Sequence, residues 1–486
     1  MPELNREGNH YVKATLTSGS AEICDVPCKI FLPERIYEKP YFLFKPKNGV
    51  DATIIMSLHA GKCKASIIGL DKKIHITIEA QEVYFSQSGT KHWGDDISES
   101  TALGEPQHLL VINHLDRPEL QDKTQIVFWI SPNDFLTPST FFTASYTGEI
   151  NYECAENVEF VIKDGVKLIF ERHFKTKMTE DGDLLQWSYL VACAELSVAA
   201  TDLEALRNDV LPNIDDFLLI ASLAAGRRTA CLGWTATDQY AHATYYRGNY
   251  TFPDCKEKSL IHDYLADIQS SKEFIDTCYA NFLAHENKLA LRNAICSAVP
   301  LSQHMLEDSF LSKFAGLEAL LLDFRRQEEI EFVLEPTGWE QFKAYLEKCI
   351  NASIEPKLEP EQRASIYKKL EELNRVSIRE AFDVFCRNCD IDLSDLWPVF
   401  GNKEAIGLVD IRNRLIHGDP FPHDLIEVLG VADMHLKTAL ERVLVRVLGW
   451  NISETRVNSD YLGMHYTSLK NFVSERKRLT KFIYSK

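Results

Sequence analysis

The spacing of apolar residues changes partway along the chain, and that change limits the fold more than any other feature. Over residues 1 to about 200 apolar positions tend to alternate with polar ones. Ile74, Ile76 and Ile78 stand at every second position, the mark of a half-buried strand. The run Val158–Phe170 reads as a hairpin, with Asp164-Gly165 supplying the positive-φ turn between two β-rich segments. Residues 125–130 and 187–192 read as further strands. Turn signals recur between such runs, as at Lys47-Asn48-Gly49 and Glu180-Asp181-Gly182. A sandwich or barrel-like β domain is expected.

Beyond residue 200 the period lengthens toward that of a helix. Thr201 is an N-cap candidate, and Pro212 opens a second apolar helix that ends near Gly226. Residues 227–260 read as loop-rich, with Trp234, Tyr240, Tyr245, Tyr246 and Tyr250 among them. Helices are expected at 260–270, 284–295, 309–326, 339–350, 360–375, 378–387, 403–417 and 431–448. The expected fold class is therefore α+β and multidomain: a β-rich domain over 1–200, a mixed and mainly helical connection over 201–299, and a helical bundle over 300–486.

A chain of 486 residues with 45% hydrophobic and 26% charged residues can bury a large core without disulfide or metal staples. Its formal net charge of −18 excludes a polybasic coat protein for nucleic acid but not a small basic site. The acid excess is uneven. Residues 1–299 hold 28 basic and 41 acidic residues, net −13, whereas residues 300–486 hold 25 and 30, net −5. Lys470–Lys486 holds six basic residues and one acid, net +5. The start of the chain has no apolar signal-peptide core, and the apolar run Phe217–Ala225 is too short to span a bilayer. The 12 cysteines follow no disulfide spacing. A cytoplasmic protein with reduced thiols and no membrane partner is expected.

The stretch Asp410–Pro420 carries the chemistry. Leu408, Ile411 and Leu415 form one apolar helical face, while Asn413 and His417, four apart, share another. Arg412 lies about 100° round from Asn413, within reach of a long side chain. Gly418 and Pro420 end the helix, which places His417 in its last turn. An imidazole that moves a proton, beside a guanidinium that neutralises phosphorane charge, suits phosphodiester chemistry.

Arg412-Asn413-(three residues)-His417 matches the Arg-(four to six residues)-His motif of the HEPN superfamily, in its Arg-Asn form. Phe310–Phe324 resembles the early helix of HEPN domains in the ApeA-like anti-phage group. Residues 431–448, with Leu436, Leu440, Leu444 and Leu448, resemble the closing helix. The helical resemblance covers roughly residues 300–450; for the β-rich region it is one of architecture only. The resemblance implies a HEPN bundle with metal-independent endoribonuclease activity and no cofactor. The RNA 2′-hydroxyl would attack its own 3′-phosphate, leaving a 2′,3′-cyclic phosphate and a 5′-hydroxyl. His417 would be the general acid or base, Arg412 the phosphate ligand, and Asn413 an orienting group. Glu318 is the candidate polar residue from the earlier helix. HEPN sites are typically composite, which implies a homodimer or higher homo-oligomer. The family also implies abortive-infection defence against phage, with host or phage RNA, tRNA among the candidates, as substrate. A phage-derived trigger would act on the N-terminal domain. A non-catalytic HEPN bundle, acting in binding or dimerisation, is the alternative.

Further candidates are weaker. Arg414 and the tail residues Arg476, Lys477 and Arg478, mixed with Tyr466, Phe472, Phe482 and Tyr484, suit RNA phosphates and stacking. Cys386/Cys389 and Cys24/Cys28 each lack a second ligand pair at zinc spacing, so no metal site is expected. His92–Asp96 reads as a polar turn, and Arg227-Arg228 as partners of the preceding helix end. No phosphate loop, serine-hydrolase elbow or zinc-protease motif occurs in the sequence.

Overall fold

The structure is a computed structural model. It describes residues 8–18, 21–33, 36, 38–45, 66–71, 76–93, 97–115, 123–144, 150–154, 158–178, 184–248, 264–267, 269–301, 305–352, 358–418, 421–466, 469 and 472–484. The turns expected at Lys47–Gly49 and Glu180–Gly182 lie outside these residues, as does Pro420. The chain forms two compact units, Met1–Tyr264 and Leu265–Lys486. The division falls inside the stretch read from sequence as a connection.

The first unit is antiparallel β. Strands β1 (Gly8–Ser18), β2 (Ala21–Leu32), β3 (Tyr41–Phe44), β4 (Ser66–Asp71), β5 (Ile76–Trp93) and β6 (Ile97–His114) pair in a closed ring. The ring runs β1–β2–β3–β6–β5–β4 and back to β1, which makes a six-stranded barrel. Register shifts at Ala14/Leu16 in β1 and Phe85/Gln87 in β5 bend the strands enough to close it. Ala14, Ile30, Phe42, Phe44, Ile78 and Val83 fill its interior.

β6 is long enough to serve two partners along one edge. Residues 102–104 pair with β3, and residues 108–114 pair with β14 (Ala241–Arg247). From β14 the sheet continues through β13 (Cys231–Thr237), β7 (Thr124–Ile130), β12 (Leu184–Leu196) and β11 (Lys167–Met178) to β10 (Val158–Val161). A separate hairpin pairs β8 (Thr140–Ala144) with β9 (Ile150–Cys154). One face of the extended sheet carries Trp129 and Tyr189 into the barrel's apolar cluster. The other face is covered by the Leu211–Ala224 helix, whose Phe217 packs 5.0 Å from Phe160 and 5.9 Å from Phe170 between ring centres. Buried Asn133 ties that helix down: its amide donates to Ala221 O (3.1 Å), and its oxygen accepts from the Phe135 and Leu136 N–H groups.

The expected hairpin at 158–170 is present, and Asp164 (φ 63°) and Gly165 (φ 75°) hold the positive angles that its turn requires. The loop-rich reading of 227–260 needs correction. Cys231–Thr237 and Ala241–Arg247 are paired strands, and all seven residues of β13 are buried. A strand buried on both faces has no polar alternation to read. Gly233 is needed there, because a Cβ would stand 2.2 Å from the Tyr245 carbonyl oxygen.

The second unit is helical. Its helices span Ser271–Ala284, Lys288–Ala298, Leu306–Gln327, Pro336–Asn351, Pro360–Leu373, Ile378–Asn388, Leu408–Ile416, Ile426–Val447, Ser459–His465 and Phe472–Tyr484. Residues 264–267, 269 and 270 are not helical, contrary to the expected 260–270 helix; the helix begins at Ser271. Phe310, Leu317, Leu320 and Leu321 of the early helix are buried. So are Leu436, Leu440, Leu444 and Leu448, the leucine row on and just past the long Ile426–Val447 helix. Arg442, 1% exposed, is neutralised from two sides. It grips the Asp395 carboxylate at 2.6 and 2.8 Å and donates to the carbonyls of Asp392 and Val457. The expected α+β class is met by this antiparallel sheet unit and helical unit. Among the described residues no helix is long and apolar enough to cross a membrane.

Candidate active site

The motif helix is shorter than the expected 403–417, because a tight loop occupies residues before Leu408. Gly407 is extended and sits against Gly401, where a Cβ would stand 2.3 Å from the Gly401 nitrogen. Asp410 accepts the Gly407 N–H at 2.7 Å and so closes the first turn. Leu408 and Ile411 are buried and anchor the helix. At its other end His417 N–H donates to Asn413 O (3.1 Å), and Gly418 turns at φ 73°. The stop at Gly418 is as the sequence indicates.

Arg412 leans onto the Leu306–Gln327 helix. Its Nη2 donates to Glu318 Oε2 at 3.2 Å, and its Nη1 to Asn413 Oδ1 at 3.1 Å. The guanidinium carbon lies 5.9 Å from the ring centre of Phe314, one helical turn before Glu318. Arg412 and Glu318 are each 30% exposed, so the pair is accessible from solvent. Asn413 and His417 are exposed. Three of the four expected catalytic residues, Glu318, Arg412 and Asn413, are thus in direct contact. The fourth, His417, projects from the carboxyl end of the same helix.

Arg414 is two residues on, about 200° round the helix. It points away from Arg412 and stacks over Phe482 of the C-terminal helix, 4.2 Å from the ring centre. The tail residues divide by role. Arg476 donates to Ile406 O (2.6 Å) and Ala405 O (3.3 Å), and partial burial pulls its guanidinium below its ordinary value. Arg478 pairs with Glu475 at 2.9 Å and donates to Asp424 O at 3.2 Å. Lys477 is exposed. Arg476 is therefore a tether for the loop before the motif helix, and Lys477 is a tail cation turned to solvent.

Burial pushes the Cys386 thiol up to about 12 and raises that of Cys389 as well. Cys24 is exposed while Cys28 is buried. Arg227 pairs with Asp134 at 3.2 Å, and its backbone N–H donates to Ser222 O. The His92–Asp96 stretch lies partly outside the described residues.

Sequence reasoning did not find Phe314 or Phe482 as the surfaces beneath Arg412 and Arg414. The spacing Phe314-x-x-x-Glu318 held the signal for the first. Phe482 has none, since its contact joins segments distant in sequence.

No protein-family model matches the chain, and neither a curated protein nor a solved structure does.

Proposed function

We propose that the helical unit is a HEPN-type, metal-independent endoribonuclease acting in abortive defence against phage. The observation that carries this reading is the contact of Arg412 with Glu318 (3.2 Å) and Asn413 (3.1 Å), on a helix whose carboxyl end exposes His417. A guanidinium held in place and still open to solvent suits a phosphate with charge developing on its oxygens. His417 takes the proton from the 2′-hydroxyl or returns one to the departing 5′-oxygen. The attack closes a 2′,3′-cyclic phosphate and frees a 5′-hydroxyl. Arg412 neutralises the pentacoordinate phosphate, Asn413 orients it, and Glu318 directs the guanidinium. Five residues advance a helix by about 500°, so Arg412 and His417 of one copy diverge. The site is accordingly shared between two copies of the chain in a homodimer. The β unit senses a phage-derived cue and holds cleavage off in its absence.

Full-length protein incubated with tRNA in EDTA should yield fragments with cyclic-phosphate ends. Arg412→Ala and His417→Ala should abolish them and also remove protection during phage challenge. RNA bound but never cut would instead identify a binding or dimerisation module. Equal cleavage by all three proteins would sink the assignment of these two residues.

A further inference from the structure

Within the β unit, Glu171 and His173 stand two apart on β11 and so share one face of the sheet. Pairing sets Ile169 opposite Cys193 and Glu171 opposite Val191, which brings Cys193 of β12 onto that same face, diagonal to Glu171. A carboxylate oxygen, an imidazole nitrogen and a thiol sulfur thereby lie within 4.8 Å of one another. His173 Nε2 is 2.8 Å from Glu171 Oε2. All three residues are half-buried. Glu171 and Cys193 also line a cavity of about 830 Å³, bounded by the turn Ile162–Lys167 and by Ser197 and Val198.

We infer that Glu171, His173 and Cys193 bind a zinc-type divalent cation, with a fourth position open to this cavity. The donor set decides the class of ion. Magnesium and calcium take oxygen ligands almost alone, whereas a borderline-soft cation accepts oxygen, nitrogen and sulfur together. Tetrahedral zinc holds such ligands at about 2.0–2.3 Å, which puts neighbouring ligand atoms about 3.3–3.8 Å apart. Small side-chain rotations on two paired strands close the remaining gap, and the paired backbone keeps the three Cβ atoms in place. The cation takes the position of the hydrogen between His173 Nε2 and Glu171 Oε2, and the neutral imidazole then carries its hydrogen on Nδ1. Cys193 binds as the thiolate and releases its proton to solvent. Three protein ligands and one open position form the pattern of a site that exchanges water for a substrate or ligand group. Among the described residues no other group of three His, Cys, Asp or Glu side chains meets in this way. The inference does not depend on the ribonuclease reading, and its test uses no RNA.

Full-length protein is stripped with chelator, loaded with Zn²⁺, gel-filtered and assayed for bound metal; a second sample is loaded with Co²⁺. Wild type should keep one zinc per chain and show thiolate-to-cobalt charge-transfer absorption. Cys193→Ser should lose that absorption, and Cys193→Ser, His173→Ala and Glu171→Gln should each weaken zinc at least about tenfold. Cys386→Ser should behave as wild type. Glu171→Gln keeps the side chain's size, so it reports on the site if the other two variants fail to fold. The inference is overturned if wild type keeps no zinc. It is equally overturned if zinc retention is unchanged in Glu171→Gln, or if the cobalt absorption disappears with Cys386→Ser and persists in Cys193→Ser.

Discussion

Arg412 Nη2 and Glu318 Oε2 lie 3.2 Å apart, although 94 residues separate them in the chain. Both side chains are 30% exposed, so solvent screens the pair and its contribution to stability stays under about 1 kcal/mol. Its consequence is directional, since it sets where the guanidinium points. Glu318→Gln should leave the melting temperature within about 2 °C of wild type. In single-turnover assays of the proposed RNA cleavage it should slow the reaction about tenfold or more. An unchanged rate, with Arg412→Ala inactive, would reduce Glu318 to a surface partner.

Arg442 joins the long helix to two other segments through Asp395, Asp392 O and Val457 O. Arg442→Ala leaves those acceptors facing a void. It should destabilise the helical unit by about 3 kcal/mol, measured by denaturant unfolding. A loss below about 1 kcal/mol would mean that the neighbouring segments close over the gap or that water replaces the guanidinium.

His435 is fully buried, and its Nδ1 accepts the Trp397 backbone N–H at 3.2 Å. Burial holds its imidazole down to about 4, with the Arg442 charge acting the same way and Asp395 opposing. The unfolded chain, titrating near 6.5, binds the proton more tightly than the folded one. The resulting stability is fully present above pH 6.5 and is lost as pH falls from 6.5 toward 4. The loss should approach about 3 kcal/mol, at 1.36 kcal/mol per unit. In chemical denaturation between pH 7 and 4, His435→Gln should flatten this part of the profile.

Arg476 and Lys477 are neighbours with different tasks. Arg476→Ala removes the hydrogen bonds to Ala405 O and Ile406 O and should expose the C-terminal helix to limited proteolysis. Lys477→Ala should leave proteolysis unchanged. If the tail contacts RNA, it should also weaken binding uniformly across sequences and lower the salt slope by about 0.7–1. The opposite pattern would reverse these roles.

How much of this could be read from the sequence depended on whether the cause was local. The hairpin at Asp164-Gly165 was legible because two adjacent residues supply its turn. The stop at Gly418 was legible for the same reason. The leucine row from Leu436 to Leu448 was legible because one apolar face repeats along a single helix. β13 was not legible, because burial on both faces removes the alternation that marks a strand. Glu318 was expected at the site only as a family pattern, and its contact with Arg412 was not legible, because the two lie on separate helices 94 residues apart.

By itself the sequence determined the α+β class, the carboxyl end of the motif helix and which side chains share its faces. These follow from φ preferences and from the 3.6- and 2-residue periods. The tertiary structure alone decided that β6 joins a closed barrel to an extended sheet. It alone turned Arg412 toward Glu318 and Arg414 toward Phe482, and it alone brought Cys193 beside Glu171 and His173. Each of these depends on packing or pairing between distant segments, and residue spacing within one segment carries no record of such partners.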